Sequence, residues 1–215
     1  FKPPMTIRDI APGPFLHISL DTLTCPVTKD GNKYIQVVCD YFTKMVVCWP
    51  TKHMTAESLA REMNDNIITK YGAPLVLYTD NGSAFTSKMF KSICGLWQIN
   101  QRFASVFHPK SQGLVERSNR TILSALRTLV AKNSTDWDHL LQTVAFAINC
   151  TPAFSTGHSP FMLEKLRVPI NPYLTHALQI NIDAPQPIIN QFNEQVKLQQ
   201  QVFKDAINSM QTNQA

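Results

Sequence analysis

The stretch LVLYTDNGSAF, residues 75–85, is the part of the sequence from which the fold is predicted most directly. Residues 75–78 form an apolar run that predicts a short buried strand, and Asp80 follows near its carboxyl end. A helix is predicted before this strand, from the N-cap candidate Thr55 up to the stop signal at 71–74. Its apolar residues recur at helical spacing: Leu59, Met63, Ile67 and Ile68. The sequence therefore predicts a helix followed by a short strand with Asp80 at its carboxyl end.

Three strands are predicted upstream of that helix. The first is the apolar segment 15–23, which carries a single acid, Asp21. A turn of Lys, Asp, Gly and Asn joins it to the second strand, 34–39, as in an antiparallel hairpin. The third strand covers 45–49 and is expected to end at Pro50. Together these strands predict an antiparallel meander.

The elements after residue 85 alternate between helix and strand. We predict a helix over 87–97, a strand over 99–103, and two helices over 111–131 and 137–149. This order predicts the α/β class, with a mixed five-stranded sheet flanked by helices and an extra C-terminal helix.

Three regions are expected along the chain. Residues 1–14 form an extended lead-in, residues 15–170 a core domain, and residues 171–215 a linker and an amphipathic helix. We expect this helix to pack on its own domain or on a partner protomer rather than to take part in catalysis. One apolar stripe of near-heptad spacing marks it: Ile189, Phe192, Val196, Phe203, Ala206 and Met210.

Composition and charge narrow the function. With 44% hydrophobic and 16% charged residues in 215, the chain is typical of a globular protein, and no apolar run is long enough for a membrane helix. Five widely spaced cysteines without a CxxC pair favour reduced thiols inside a cell over disulfides or structural zinc.

The net charge is +5, yet residues 84–132 alone hold eight basic residues against one acid. A phosphate backbone is the expected partner of such a patch.

Three acids stand where the local pattern does not require them: Asp21, Asp80 and Glu116. If the two strands are neighbours and the helix crosses their ends, the carboxylates converge, and a shared divalent cation would relieve their repulsion. Magnesium suits such a site, and two ions can activate an attacking hydroxyl and stabilise a leaving oxygen. Each acid also has an ordinary explanation, as a strand end, a turn residue or one half of a helical ion pair with Arg120.

Four motifs resemble, in order, the integrase core of retroviruses and gypsy-type retrotransposons. They are LDT at 20–22, VCDYFTKM at 38–45, TDNGSAF at 79–85 and HPKSQGLVERSNR at 108–120. The 35 residues between Asp80 and Glu116 match the spacing that is the hallmark of this family. Residues 147–149 and 155–161 are similar to the closing motif of the gypsy branch, although Leu166 stands where that branch tends to have glycine.

The resemblance implies a ribonuclease H-like fold and a polynucleotidyl transferase that processes the 3′ ends of element DNA and joins them to target DNA. It implies that Asp21, Asp80 and Glu116 are the catalytic triad and bind two Mg²⁺ ions, for which Mn²⁺ can substitute. Positions that contact element DNA in the family correspond to Gln112, Asn119 and Arg120, and Lys110 is a weaker candidate. Asp40 is expected to be structural, and His108 to bond within its loop or to DNA.

The implied partners are double-stranded DNA and further copies of the chain, as a homo-dimer or larger assembly, with no membrane partner. The expected location is the nucleus or a virus-like particle. Family integrases also carry an upstream zinc domain and a downstream small domain, so concerted integration is not expected from these 215 residues alone. Two other functions stay open: a domesticated, non-catalytic domain that binds DNA or protein, and another ribonuclease H-like nuclease.

Overall fold

The computed structural model describes residues 11–103, 109–129, 136–167 and 188–212. The strands are β1 (His17–Thr24), β2 (Tyr34–Asp40), β3 (Val46–Thr51), β4 (Val76–Thr79) and β5 (Asn100–Phe103). The first helices are α1 (Ala56–Met63), which continues through a π-helical turn (Asn64–Ile68) into α2 (Thr69–Tyr71), then α3 (Ser83–Thr86) and α4 (Lys88–Leu96). The later helices are α5 (Pro109–Leu129), α6 (Trp137–Cys150), α7 (Pro160–Lys165) and α8 (Ile188–Thr212). Within the described ranges, no helix is both long and apolar enough to cross a membrane.

The five strands form one mixed sheet in the order β3-β2-β1-β4-β5, which confirms the predicted sheet. β2 is antiparallel to β1 and to β3, whereas β1, β4 and β5 run parallel. One edge of the sheet, which we call the carboxyl edge, therefore collects the carboxyl ends of β1, β3, β4 and β5 and the amino end of β2. Residues that follow β4 and residues that precede β2 meet at this edge.

Local sequence signals set most of the element boundaries. The Thr55 hydroxyl accepts the Ser58 amide at 3.1 Å and caps α1 as predicted. The expectation that the third strand stops at Pro50 is wrong, because Pro50 lies inside β3 and pairs with Ile35. β3 is the edge strand, so the missing amide hydrogen of proline leaves no partner unsatisfied. The short helix α3 was not predicted, since its four residues carry no periodicity.

The core lies on both faces of the sheet. Leu20 and Val38 face the side covered by α1 and α4, and Val37 faces the side covered by α5 and α6. Ile122 of α5 is fully buried against that second side. Asp21 pairs with Val37 in the β1–β2 ladder and so points to the α5 face. The sheet thus sets an acid under the helix that carries Glu116.

Residues 11–149 form one compact unit, and the described residues beyond Asn149 belong to a second. In the second unit α7 contacts α8. Ala206 and Met210 of the predicted stripe are buried there, Phe203 is half-buried, and Val202, which was not in the stripe, is also buried. The predicted stripe residues Ile189, Phe192 and Val196 have side chains outside the described part of the chain. The predicted domain boundaries at 15 and 170 remain predictions.

Leu166 ends α7 in the left-handed conformation, with φ 56°, and its amide donates to the Met162 carbonyl at 2.9 Å. This conformation costs a residue with a Cβ roughly 1–2 kcal/mol relative to glycine. We expect Leu166→Gly to be about 1 kcal/mol more stable than Leu166→Ala, since both variants lose the leucine side chain and only one keeps a Cβ. The thermal midpoints of the two variants should then differ by about 2–4 °C. Equal midpoints would contradict the backbone assignment.

Candidate functional site

Asp21 occupies the α5 face of β1, half-buried near the carboxyl edge. Its Oδ1 accepts the Thr22 amide at 2.9 Å, and its Oδ2 accepts Nδ2 of Asn119 at 2.6 Å. Asn119 lies on α5, one turn after Glu116, so this hydrogen bond joins β1 to α5 close to Glu116. The carboxylate is therefore held in place by two donors from two different elements.

Asp80 reaches the same place through the parallel pairing of β1 with β4. His17 pairs with Val76 and Ser19 with Tyr78, so two further steps of this register set Asp80 beside Asp21. The Oδ1 of Asp80 accepts the Gly82 amide at 2.8 Å. A Cβ on Gly82 would stand 2.9 Å from that oxygen, closer than side chains allow. Glycine at position 82 therefore leaves room for the Asp80 carboxylate to accept the amide of its own loop.

Glu116 is exposed on α5, a helix that contacts both β1 and β2. Burial raises the pKa of Asp21, and repulsion from the charges of Asp80 and Glu116 raises it further. Hydrogen bonds from Thr22 and Asn119 oppose that rise. The three acids that the sequence singles out thus act on one another electrostatically, although their roles in catalysis remain predictions.

The donor set fits a divalent metal ion. Three carboxylates supply the hard oxygen ligands that Mg²⁺ prefers, and a cation between them would relieve the repulsion that raises the pKa of Asp21. Asn119, 8% exposed, keeps its Oδ1 buried without a hydrogen-bond partner, so the polar environment beside Asp21 is incomplete in the protein alone. Asp21, Asp80 and Glu116 are accordingly the residues that could hold a metal here.

A second group of possible ligands lies at the turn between β1 and β2. Among the described residues, Asp30, Asp138 and His139 are the group of three whose ligand atoms all lie within 4.8 Å of one another, closer than the triad. Its members already contact each other and their neighbours. Nε2 of His139 lies 3.6 Å from Oδ2 of Asp30, and Nδ2 of Asn32 donates to Oδ2 of Asp138 at 2.8 Å. Hydrogen bonds from Asn32 and Thr28 overcome the effect of burial and lower the pKa of Asp138. We interpret this group as a structural contact between the β1–β2 turn and α6.

The predicted DNA-contact residues have different surroundings. Arg120 is exposed on α5, as a phosphate contact requires. Asn119 is buried and bonds to Asp21, so its described contact is with a catalytic candidate. The side chains of Lys110 and Gln112 and the whole of His108 lie outside the described residues. Sequence reasoning could place these residues on one helix but could not tell which of them would turn toward Asp21.

Asp40 is the last residue of β2 and is fully buried where the turn to β3 begins. Its Oδ1 accepts the amides of Phe15 at 3.0 Å and Phe42 at 3.3 Å, and its Oδ2 accepts the amide of Thr43 at 2.8 Å and its hydroxyl at 2.6 Å. Burial raises the pKa of Asp40, and these four hydrogen bonds oppose the rise. The contacts agree with the structural role expected for this residue.

Lys44 lies in the turn that follows Asp40. Its side chain is half-buried, its Nζ donates to the Tyr41 carbonyl, and burial lowers its pKa. The residue also takes a positive φ of 67°, which closes the turn that Asp40 organises.

Gln36 is a residue that sequence reasoning missed. It is fully buried in β2, and its Oε1 accepts the Thr22 hydroxyl at 2.8 Å. Because Thr22 follows Asp21 directly, this bond fixes the strand beside the acid. The available signal was a single amide side chain inside an otherwise apolar strand.

The chain is similar to proteins of known class. The family model described as integrase core domain matches residues 11–109. Over 167 residues the chain is 32% identical to the Gag-Pol polyprotein of avian reticuloendotheliosis virus. The matched region covers 77% of this chain and 14% of the polyprotein. The chain therefore spans about one seventh of the length of this relative.

Solved structures share its fold. A chain of the simian T-cell lymphotropic virus intasome in complex with PP2A regulatory subunit B56 gamma matches with TM-score 0.63 and 21% identity, over 84% of this chain and 59% of that chain. The HTLV-2 integrase catalytic core domain in complex with magnesium, in its trimeric form, matches with TM-score 0.58 and 22% identity, over 71% of this chain and 97% of that chain. At these identities the likeness shows the fold, which is ribonuclease H-like.

Proposed function

Because this chain belongs to the integrase core family of retroviruses and related elements, we propose that it is the catalytic core of a DNA integrase. The proposed reaction is metal-dependent cleavage near the 3′ end of element DNA, followed by transfer of that end to a target phosphodiester. The observation that carries the proposal is that acids from a strand, a loop and a helix lie at one place in the fold. Asn119, one turn after Glu116 on α5, donates to Asp21 at 2.6 Å, and the β1–β4 register sets Asp80 beside Asp21.

Asp21, Asp80 and Glu116 are the residues that would hold Mg²⁺, or Mn²⁺ in its place, as two ions in the active complex. When bound, these ions would activate the attacking hydroxyl and stabilise the leaving oxygen of the phosphodiester. The magnesium complex of the HTLV-2 core supports the choice of metal. The Asn119 amide orients the Asp21 carboxylate, and Gly82 allows the Asp80 carboxylate to face the same edge.

The proposed partners are double-stranded DNA and further copies of this chain. The intasome and the trimeric core among the structural relatives support an assembly that handles DNA ends. The polyprotein relative supports a virus-like particle or the nucleus as the place of action. Lys110, Gln112, Asn119 and Arg120 remain the proposed contacts to element DNA.

A cleavage assay with labelled substrates tests the proposed function. The complete protein that contains this chain is incubated with Mg²⁺ and either duplex DNA ends or an RNA:DNA hybrid. We expect cutting near the DNA 3′ end and joining to a second duplex. Preferential cutting of the RNA strand would favour another ribonuclease H-like nuclease. Binding of DNA without any cutting would favour a domesticated, non-catalytic domain.

Arg120→Gln is expected to weaken DNA binding in a salt-dependent way. Each lost phosphate contact should lower the slope of log K against log salt by about 0.9. The measurement is fluorescence anisotropy of a labelled duplex at several salt concentrations, with EDTA present to prevent cutting. Arg61→Gln is the matched control, because Arg61 is exposed on α1, which covers the other face of the sheet. Equal salt slopes for the two variants would show that Arg120 does not contact DNA phosphates.

A further inference from the structure

Each of the two strands that lead to Asp21 and Asp80 also presents a threonine next to its acid. Thr22 follows Asp21 in β1, and Thr79 precedes Asp80 at the end of β4. The residue two positions before each threonine is a leucine of the core under α1 and α4, so both threonines point to that face of the sheet. Asp21 points to the opposite face, toward α5.

Each threonine is bonded to a glutamine of the strand on its outer side. The Thr22 hydroxyl donates to Oε1 of Gln36 in β2 at 2.8 Å, and the two residues are direct partners in the β1–β2 ladder. Oγ1 of Thr79 accepts Nε2 of Gln101 in β5 at 3.2 Å. The sheet order β2-β1-β4-β5 therefore places the two strands that carry the acids between the two glutamines.

Gln101 also joins the two ends of the loop that carries Asp80. The same Nε2 donates to the Phe85 carbonyl at 3.0 Å. One amide group thus binds both ends of residues 79–85, the segment in which the Asp80 carboxylate accepts the Gly82 amide. The position of this amide therefore fixes the two ends of the loop relative to each other.

Gln36 is a costly residue to bury for folding alone. It is fully buried in β2 among apolar neighbours. Within the described chain its Nε2 donates to Sδ of Met54 at 3.7 Å, and a thioether is a weak acceptor. A buried amide with so weak a contact for its donor stabilises less than an apolar side chain of the same size. The bond from the Thr22 hydroxyl is the stronger polar contact of this side chain.

Within the described sheet, the ends of β1 and β4 that carry the acids are not paired with each other. The last paired residues of the two strands are Ser19 and Tyr78, two positions before Asp21 and Asp80. The outer ladders continue further, since β1 pairs with β2 to the end of β1 and β4 pairs with β5 to the end of β4. At the level of the acids, each strand is therefore held within the sheet from its outer side.

We propose that Gln36 and Gln101 are positioning residues that set the separation of the Asp21 and Asp80 carboxylates for metal binding. Each glutamine acts through its threonine partner, whose main chain leads directly into the acid. Mg²⁺ requires nearly ideal octahedral geometry, so a small change in the spacing of two ligands lowers its affinity. This inference rests on the proposed function, because it takes the two acids as metal ligands.

The test measures metal binding and DNA cutting by Gln36→Met and Gln101→Met, which remove the amide and keep a side chain of similar length. Gln142→Met is the matched control, because Gln142 donates from α6 to the Cys48 carbonyl of β3 at 2.7 Å, two strands away from β1. Calorimetric titration of the complete protein with Mn²⁺ gives the metal affinity. Cutting of a labelled duplex end in Mg²⁺ gives kcat and the KM for DNA. Each variant loses one side-chain amide, so the three thermal midpoints should lie within about 4 °C of one another.

We expect each glutamine variant to bind Mn²⁺ about tenfold more weakly and to have a kcat about tenfold lower, because residues that orient metal ligands contribute on this scale. The KM for DNA should stay within about twofold of the unchanged protein, since neither glutamine is a proposed DNA contact. The control should keep both its metal affinity and its kcat. Equal metal affinities in all three variants would overturn the proposal, and so would a loss confined to one glutamine.

Threonine variants test the same two bonds without changing the amides. Thr22→Val and Thr79→Val remove the hydroxyl and should reproduce the losses, whereas Thr22→Ser and Thr79→Ser keep the hydroxyl and should retain metal affinity. Serine variants as weak as the valine variants would assign the effect to packing and overturn the proposal. If the unchanged protein binds Mn²⁺ and cuts DNA and every variant does so equally well, the positioning role is wrong and the proposed function stands. If the unchanged protein neither binds a divalent metal nor cuts DNA, both proposals fail.

Discussion

Glu116→Gln is expected to abolish Mg²⁺-dependent cutting and joining of DNA, with a loss of about a thousandfold or more. A metal ion contributes several kcal/mol to stabilising the transition state of phosphoryl transfer, and each 1.4 kcal/mol corresponds to about tenfold in rate. Glutamine keeps the length and the helix propensity of glutamate but removes the charge that attracts the ion. Glu116 is exposed, so its replacement leaves the core of α5 unchanged.

The matched control for this variant is Glu57→Gln, an exposed glutamate in the first turn of α1. Both variants should unfold at nearly the wild-type temperature. Only Glu116→Gln should lose activity and bind Mg²⁺ or Mn²⁺ more weakly in a calorimetric titration. Full activity in Glu116→Gln would reject the triad and, with it, the proposed reaction.

Asp40→Asn is expected to destabilise the fold by about 2–4 kcal/mol. The carboxylate accepts three backbone amides and one hydroxyl, and an asparagine can offer only one acceptor oxygen in its place. In either orientation its NH₂ group faces amide donors, and each buried donor left without a partner costs about 1–3 kcal/mol. Urea unfolding, followed by circular dichroism, measures the change.

Asp65→Asn serves as the control, because Asp65 is exposed and its replacement should change the stability by less than about 0.5 kcal/mol. The same pair of variants distinguishes a structural from a metal-binding role for Asp40. A structural carboxylate predicts lower stability with metal affinity unchanged in the fraction that remains folded. Wild-type stability combined with weaker metal binding would overturn the structural role.

Much of the fold follows from local patterns in the sequence. The apolar spacing after Thr55 predicts α1 and its continuation, because one face of a helix must be buried and the other solvated. The apolar runs around Val37 and Leu77 predict buried central strands. Pro50 misled the prediction, since a proline is tolerated in a strand only at the edge of a sheet, and strand order cannot be read from local pattern.

The candidate site was predictable in its residues and not in its arrangement. The sequence alone singled out Asp21, Asp80 and Glu116, because a charged side chain in an apolar strand or a lone acid in a basic helix conflicts with local preference. It gave no means of finding the bond between Asn119 and Asp21, whose partners are 98 residues apart. Such pairs depend on which strands are neighbours and on where a helix crosses them.

The sequence by itself determined most of the helices and strands, which of their faces are apolar and which acids are out of place. These properties depend on neighbours within one or two turns of the chain. Only the tertiary structure decided that Asp80 stands beside Asp21 and that Asn119 of α5 donates to the Asp21 carboxylate. Those contacts arise from strand register, and a shift of one residue would send each side chain to the opposite face of the sheet.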